Sequence, residues 1–272
     1  MTTQYTLSSS SWTGDSLVLR DAAGRRMLTF PIIFLTEGHV ASWDYIYEVL
    51  GMCFKGAVNL TTLDGTLKTR TDRVTAGTLV VTSDDAGVTP VRGPRFKEKF
   101  RAPADRDDNS TMSHSSRSSV NQSPFRTKLT GRDAVCLVTD SDPDRCTAAH
   151  ILPISRPEYY VEVLGLDQDA PLYSTAYGLL LRKDIHSDFD QGRIAFYPHR
   201  DRLIVHVFDL DPSYRQYHGK ILRPDRFRAG SEAPSVDLLR FHYRHCCIKY
   251  MRGYAAFMNI PQGAVMVDSS GP

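Results

Sequence analysis

The sequence predicts an α+β protein: a β-rich α/β module over 1–100, a polar linker over 101–128, and a second domain over 129–272 that closes in a helix. Three observations predict this. Short apolar runs of strand length alternate with turn residues in both halves. Apolar residues fall at helical spacing over 37–53 and again, more weakly, over 235–254. Between the halves, one stretch has hardly any aliphatic residues. The composition, 41% hydrophobic and 24% charged in 272 residues, supports a sizeable core and excludes collagen-like, wholly disordered and disulfide-scaffold classes.

Taken in order, Leu17–Leu19 and Met27–Leu35 read as strands around an Asp21-Ala-Ala-Gly24 turn. Over 37–53, Val40, Trp43, Ile46, Tyr47 and Leu50 share one helical face, with Gly51 as a stop signal. Thr78–Thr82 reads as a strand between turns at Asp64-Gly65 and Ala76-Gly77. The Ser/Asp/Arg-rich segment 101–128 cannot bury enough apolar surface to offset the entropy of ordering, which predicts a flexible linker or long loop. Ahead of it, Arg92, Arg95, Lys97, Lys99 and Arg101 offer the alternative of a basic, strand-tracking arm.

In the second half, Ala134–Thr139 reads as a strand that turns at Asp140–Asp144 and returns as Cys146–Leu152, stopped by Pro153. A loop runs to about Ala176. The strand Gly178–Leu181 follows, then a charged helical stretch, RKDIHSDFDQ, ended by Gly192, then strands at Arg193–Tyr197 and Leu203–Phe208.

Lys and Arg total 33 against 31 Asp and Glu, a net charge of +2, so any anionic partner must be held by a local patch. Five cysteines without a CxxC pair read as reduced thiols; Cys136 and Cys146 flank a turn and could lie close across it. No signal-peptide pattern or apolar run of membrane-spanning length is visible, so a cytoplasmic or nuclear protein with no membrane partner is expected. His242, His245 and Cys246 share a helix face as a candidate zinc cluster, though no partner pair has ligand spacing. Gly-rich phosphate loops, GxSxG and HExxH are absent.

The residues that could carry chemistry lie between 132 and 190. His150 ends a strand, and His186 and Asp190, four apart, share one helix face. The pieces Arg132-Asp-Ala-Val-Cys-Leu-Val-Thr139, Ala148-Ala-His-Ile-Leu-Pro153 and Tyr177-Gly-Leu-Leu-Leu-Arg-Lys-Asp-Ile-His-Ser-Asp-Phe-Asp190 resemble the HNH endonuclease family, in the form common in fungal proteins. Weaker resemblance covers 17–28 and 238–253. The resemblance implies an HNH-like ββα-metal core and a metal-dependent nuclease acting on DNA or another nucleic acid. His150 would be the general base, His186 a metal ligand, and Asp190 a second ligand or orienter, for a divalent ion such as Mg²⁺, Mn²⁺ or Zn²⁺.

Two positions depart from the family's pattern. Tyr177 stands where Asn is typical, and Ala149 precedes the base where many members place a ligating Asp or His. A phenol cannot both donate and accept in a plane as an amide does. Two alternatives therefore stay open beside the nuclease: acid–base chemistry on a small-molecule substrate by His150, Tyr177 and His186, or a catalytically silent HNH-fold binding protein.

Overall fold

The computed structural model describes residues 12, 14–71, 73–83, 88–96, 114–167, 170–208 and 212–252, with the side chains of 114–121 and 212 outside the description. It is a mixed α+β structure with several sheets and seven α-helices among those residues. The chain divides into two compact units, 1–92 with 247–272, and 93–246. No helix among the described residues is long and apolar enough to cross a membrane.

In the first unit, β1 (Ser16–Arg20) pairs antiparallel with β2 (Arg26–Pro31), placing Leu17 opposite Phe30 and Leu19 opposite Leu28. These four side chains are buried, as period-2 alternation requires. The strand expected to run through Leu35 ends instead at Pro31, and α1 (Ile32–Glu37) follows. Phe34 and Leu35 are consecutive and both buried, which a helix allows and an edge of alternating strand does not. Likewise the helix expected over 37–53 begins only at α2 (Trp43–Cys53): His39 adopts φ +58°, and the Ser42 hydroxyl caps the new start by accepting from Tyr45 N–H. β3 (Phe54–Lys55) pairs with the later β6 (Thr89–Pro90). β4 (Asn59–Thr61) and β5 (Gly77–Thr82) complete the main sheet in the order β2-β1-β5-β4, with β5 parallel to β1. A π-helical turn, Cys247–Arg252, also belongs to this unit, where Arg252 donates to the carbonyls of Cys53 and Val91.

In the second unit the expected linker is partly helical. α3 (His114–Asp133) covers 114–128 of it, while 101–113, with Lys97, Lys99 and Arg101, lies outside the described residues. The polar composition hid two large apolar residues four apart, Phe125 and Leu129, which are 1% and 0% exposed and anchor the helix. The expected strand Ala134–Thr139 is a turn, buried at 136–138. Its carbonyls form no ladder: Arg226 donates to Val135 O, as it does to the preceding Asp133 O, Lys220 donates to Val138 O, and Cys136 O accepts from Asp140 N–H. The true partner of β7 (Cys146–His150) is therefore β8 (Gly178–Arg182), in antiparallel register from Cys146 opposite Arg182 to His150 opposite Gly178.

The connection between β7 and β8 holds α4 (Glu158–Leu164), and β8 runs straight into α5 (Lys183–Asp190). β9 (Ile194–His199) and β10 (Arg202–Val207) form a hairpin; α6 (Pro212–Arg215) leads to β11 (Ile221–Leu222), giving the order β11-β10-β9. α7 (Val236–Cys246) packs its buried Leu238, Leu239 and Tyr243 toward this core. The closing helix expected over 235–254 is α-helical to Cys246 and continues as the π-helical turn Cys247–Arg252, which groups with the other unit, while 253 and 254 lie outside the described residues.

Candidate active site on the β7, β8 and α5 elements

The ladder pair His150–Gly178 puts His150 at the end of β7, and α5 sits against both strands. The His150 ring is stacked on Phe125 with centroids 4.5 Å apart and planes at 24°, and Tyr173 meets it edge-on at 5.6 Å. Nε2 lies 3.0 Å from the Leu172 carbonyl oxygen. A carbonyl only accepts, so Nε2 carries the proton and Nδ1 of the neutral ring carries the lone pair. Among the described residues no protein group bonds Nδ1. Burial pulls the imidazole down to about 4, with the neighbouring His186 acting in the same direction and the Leu172 carbonyl opposing. The ring is therefore neutral at physiological pH.

His186 lies in α5 with Nδ1 2.8 Å from the Thr147 hydroxyl and Nε2 3.4 Å from Asp190 Oδ2. The Thr147 hydroxyl also lies 3.4 Å from the Leu181 carbonyl, so the contact to His186 is the shorter of its two. Nε2 of His186 faces the Asp190 carboxylate, as an N–H donor in one tautomer and across a cation in the other. Ala149, fully buried on β7, adds no donor, and the described residues contain no group of three or more His, Cys, Asp or Glu placed to hold an ion. Two protein ligands, one of them an imidazole, are too few for a closed zinc site; an open site would leave its other positions to water and substrate.

The structure does not join Tyr177 to the histidines. Its ring packs on Tyr160 at 5.6 Å, and its backbone carbonyl receives Ile151 N–H. Among the described residues no hydrogen bond or ring contact links it to His150 or His186. Of the nearby cations, Arg182 is held bidentate by Asp184 at 2.7 Å and Arg193 pairs with Asp188 at 3.1 Å, whereas Lys183 is exposed at the start of α5.

The remaining candidates resolve as packing. His242 donates to the Phe189 carbonyl and stacks on its ring at 3.9 Å, and its Nδ1 lies 3.9 Å from Cys246 Sγ. His245 meets Phe96 edge-on at 4.7 Å. Cys136 and Cys146 are free and buried; Cys146 donates to the carbonyls of Ser141 and Asp142, and burial, with Cys136 beside it, pushes its thiol up to about 11. A cleft of about 340 Å³ opens near Asp140, Lys220 and Arg226, but Lys220 and Arg226 are committed to backbone carbonyls there.

Sequence reasoning missed Phe125, Thr147, Arg132 and Asp133. Thr147 gave no signal of its own, since strand alternation puts a residue three places before His150 on the other face, and its contact is to His186. Phe125 gave no signal inside a polar segment. Arg132 and Asp133 were visible as residues but not as a pair: both side chains are fully buried, joined at 2.6 Å, and they reach Thr175 O, Gly178 O and Leu180 N–H.

Residues 136–197 match the model of the HNH endonuclease family, whose function is nuclease-type in general and which usually uses a divalent metal. The comparison with curated proteins and that with solved structures each returned no match.

Proposed function

We propose, from the match of residues 136–197 to the HNH endonuclease family, that this segment hydrolyses phosphodiester bonds of a nucleic acid with His150 as general base. The observation that carries the reading is the His150 ring: Nε2–H is fixed on Leu172 O, and the Nδ1 lone pair has no protein partner among the described residues. A water at Nδ1 gives up a proton as its oxygen attacks phosphorus, and the Leu172 carbonyl stabilises the imidazolium that forms. An anionic phosphate beside the ring favours that charged form and raises the ring's basicity where it is used.

His186 Nε2 and Asp190 would hold the divalent ion, oriented by Thr147, and the ion when bound supplies Lewis-acid neutralisation of the charge on phosphate. Lys183, exposed at the start of α5, would meet the phosphate backbone, while Arg182 and Arg193 already carry counter-charges.

The test is cleavage of supercoiled plasmid by the purified chain in Mg²⁺. His150→Ala is expected to lower the rate by about 10²- to 10⁴-fold with the fold intact by circular dichroism. Equal cleavage by the variant and the parent protein would sink the assignment of His150.

A further inference from the structure

We propose that Phe125, lodged in the space left by Gly178, is a positioning residue for His150, holding the imidazole in the orientation and tautomer that leave Nδ1 as the proton acceptor. The proposal rests on His150 being the base and deepens that reading.

Three features converge on the ring. Phe125 covers one face, and the same phenyl meets Tyr173 edge-on at 5.8 Å, so His150, Phe125 and Tyr173 contact one another pairwise. The Leu172 carbonyl fixes the far edge through Nε2. Gly178, opposite His150 in the ladder, makes room for this: a Cβ there would collide with Phe125 Cζ and stand 2.9 Å from Leu129 Cδ1. Its φ is not in the left-handed region, so the demand for glycine here is one of space and not of backbone conformation.

The helix that delivers Phe125 is tied to the hairpin on both sides of it. Arg126 donates to Pro143 O at 2.7 Å and Cys146 O at 3.4 Å, and Arg132 donates to Gly178 O at 2.8 Å. The groups facing His150 are few. From α5 it is His186, from the 172–177 loop the Leu172 carbonyl and the Tyr173 ring; α3 presents apolar Phe125, with Arg126 turned to the carbonyls of Pro143 and Cys146, and β8 presents Gly178. With no carboxylate among them to hold a proton on Nδ1, the ring's geometry depends on the stack and one hydrogen bond.

The experiment uses the full chain labelled with ¹⁵N-histidine, with the His150 signals assigned through His150→Gln. Long-range ¹H–¹⁵N correlation at pH 7 is expected to show a single Nε2–H tautomer and carbon-bound ring protons shifted upfield by Phe125. Phe125→Leu keeps the apolar mass and loses the stack. It should give mixed tautomers, erase the upfield shift and lower kcat by roughly tenfold or more with KM little changed. Gly178→Ala reaches the same end by displacing Phe125, and it decides the matter if Phe125→Leu does not fold. A folded Phe125→Leu with the single Nε2–H tautomer and the parent's kcat would overturn the proposal. Because the tautomer is read without substrate, a chain that cleaves no phosphodiester would refute the functional reading while the role of Phe125 was still decided.

Discussion

An imidazole enclosed by Phe125 and Tyr173 makes folding work against protonation, and that has a measurable pH signature. His150 has an ordinary value of 6.5 in the unfolded chain and about 4 in the folded one. Below 6.5 the unfolded chain takes up a proton that the native state refuses, so stability falls as pH drops from 6.5 and levels off below 4. The full difference corresponds to about 3 kcal/mol. Urea denaturation at intervals from pH 7 to pH 4 should therefore show a steeper loss for the parent than for His150→Gln, and parallel curves would contradict the burial argument. At this scale the sequence was partly legible. His150, His186 and Asp190 were singled out through a family resemblance, and their places at a strand end and on a helix face were legible because those are local properties. What surrounds His150 was not, since Phe125 reaches it across 25 residues of chain and Leu172 across 22.

Elements were legible where one local pattern decided them, and misread where side chains took over backbone bonding. β8, α5, β9 and β10 lie close to where apolar runs and a Gly192 stop placed them. The run 134–139 has strand composition, yet Arg226 and Lys220, some 80 to 90 residues later, take its carbonyls. The same buried bonding joins α3 to β8 through Arg132 and Asp133. Asp133 accepts Leu180 N–H at 2.9 Å and Arg132 at 2.6 Å, both side chains being fully buried. Asp133→Ala would leave a guanidinium uncompensated in the core, a change that costs about 3–5 kcal/mol. Replacing both residues by apolar ones of similar size, Arg132→Met with Asp133→Leu, should cost less than the single change, because no charge is orphaned. Equilibrium denaturation of the two variants checks the order, and a double variant less stable than Asp133→Ala would show that the pair stabilises by more than mutual neutralisation.

At the scale of the whole chain, the division into 1–92 with 247–272, and 93–246, makes the first unit discontinuous in sequence. Composition could not show this, because 235–254 carries one unbroken helical pattern while 247–252 pack with the first unit. Cys247, Tyr250 and Met251 are buried in the first unit, and Arg252 bonds Cys53 O at 3.0 Å as well as Val91 O. Every candidate site residue, by contrast, falls within 93–246. A chain ended after Cys246 should accordingly damage the unit that holds none of the candidate site residues. Well-buried side chains of this size contribute ~1.5–3 kcal/mol each, so losing Tyr250 and Met251 together removes a large part of a typical domain stability of ~5–15 kcal/mol. Native-state hydrogen exchange on the truncated chain is expected to show lost protection in β1, β2 and α2, with β7 to β10 still protected and plasmid cleavage retained. Protection persisting in β1 and β2 would mean that the first unit is complete without its C-terminal segment. Loss of protection in β7 and β8 would mean that the site depends on both units.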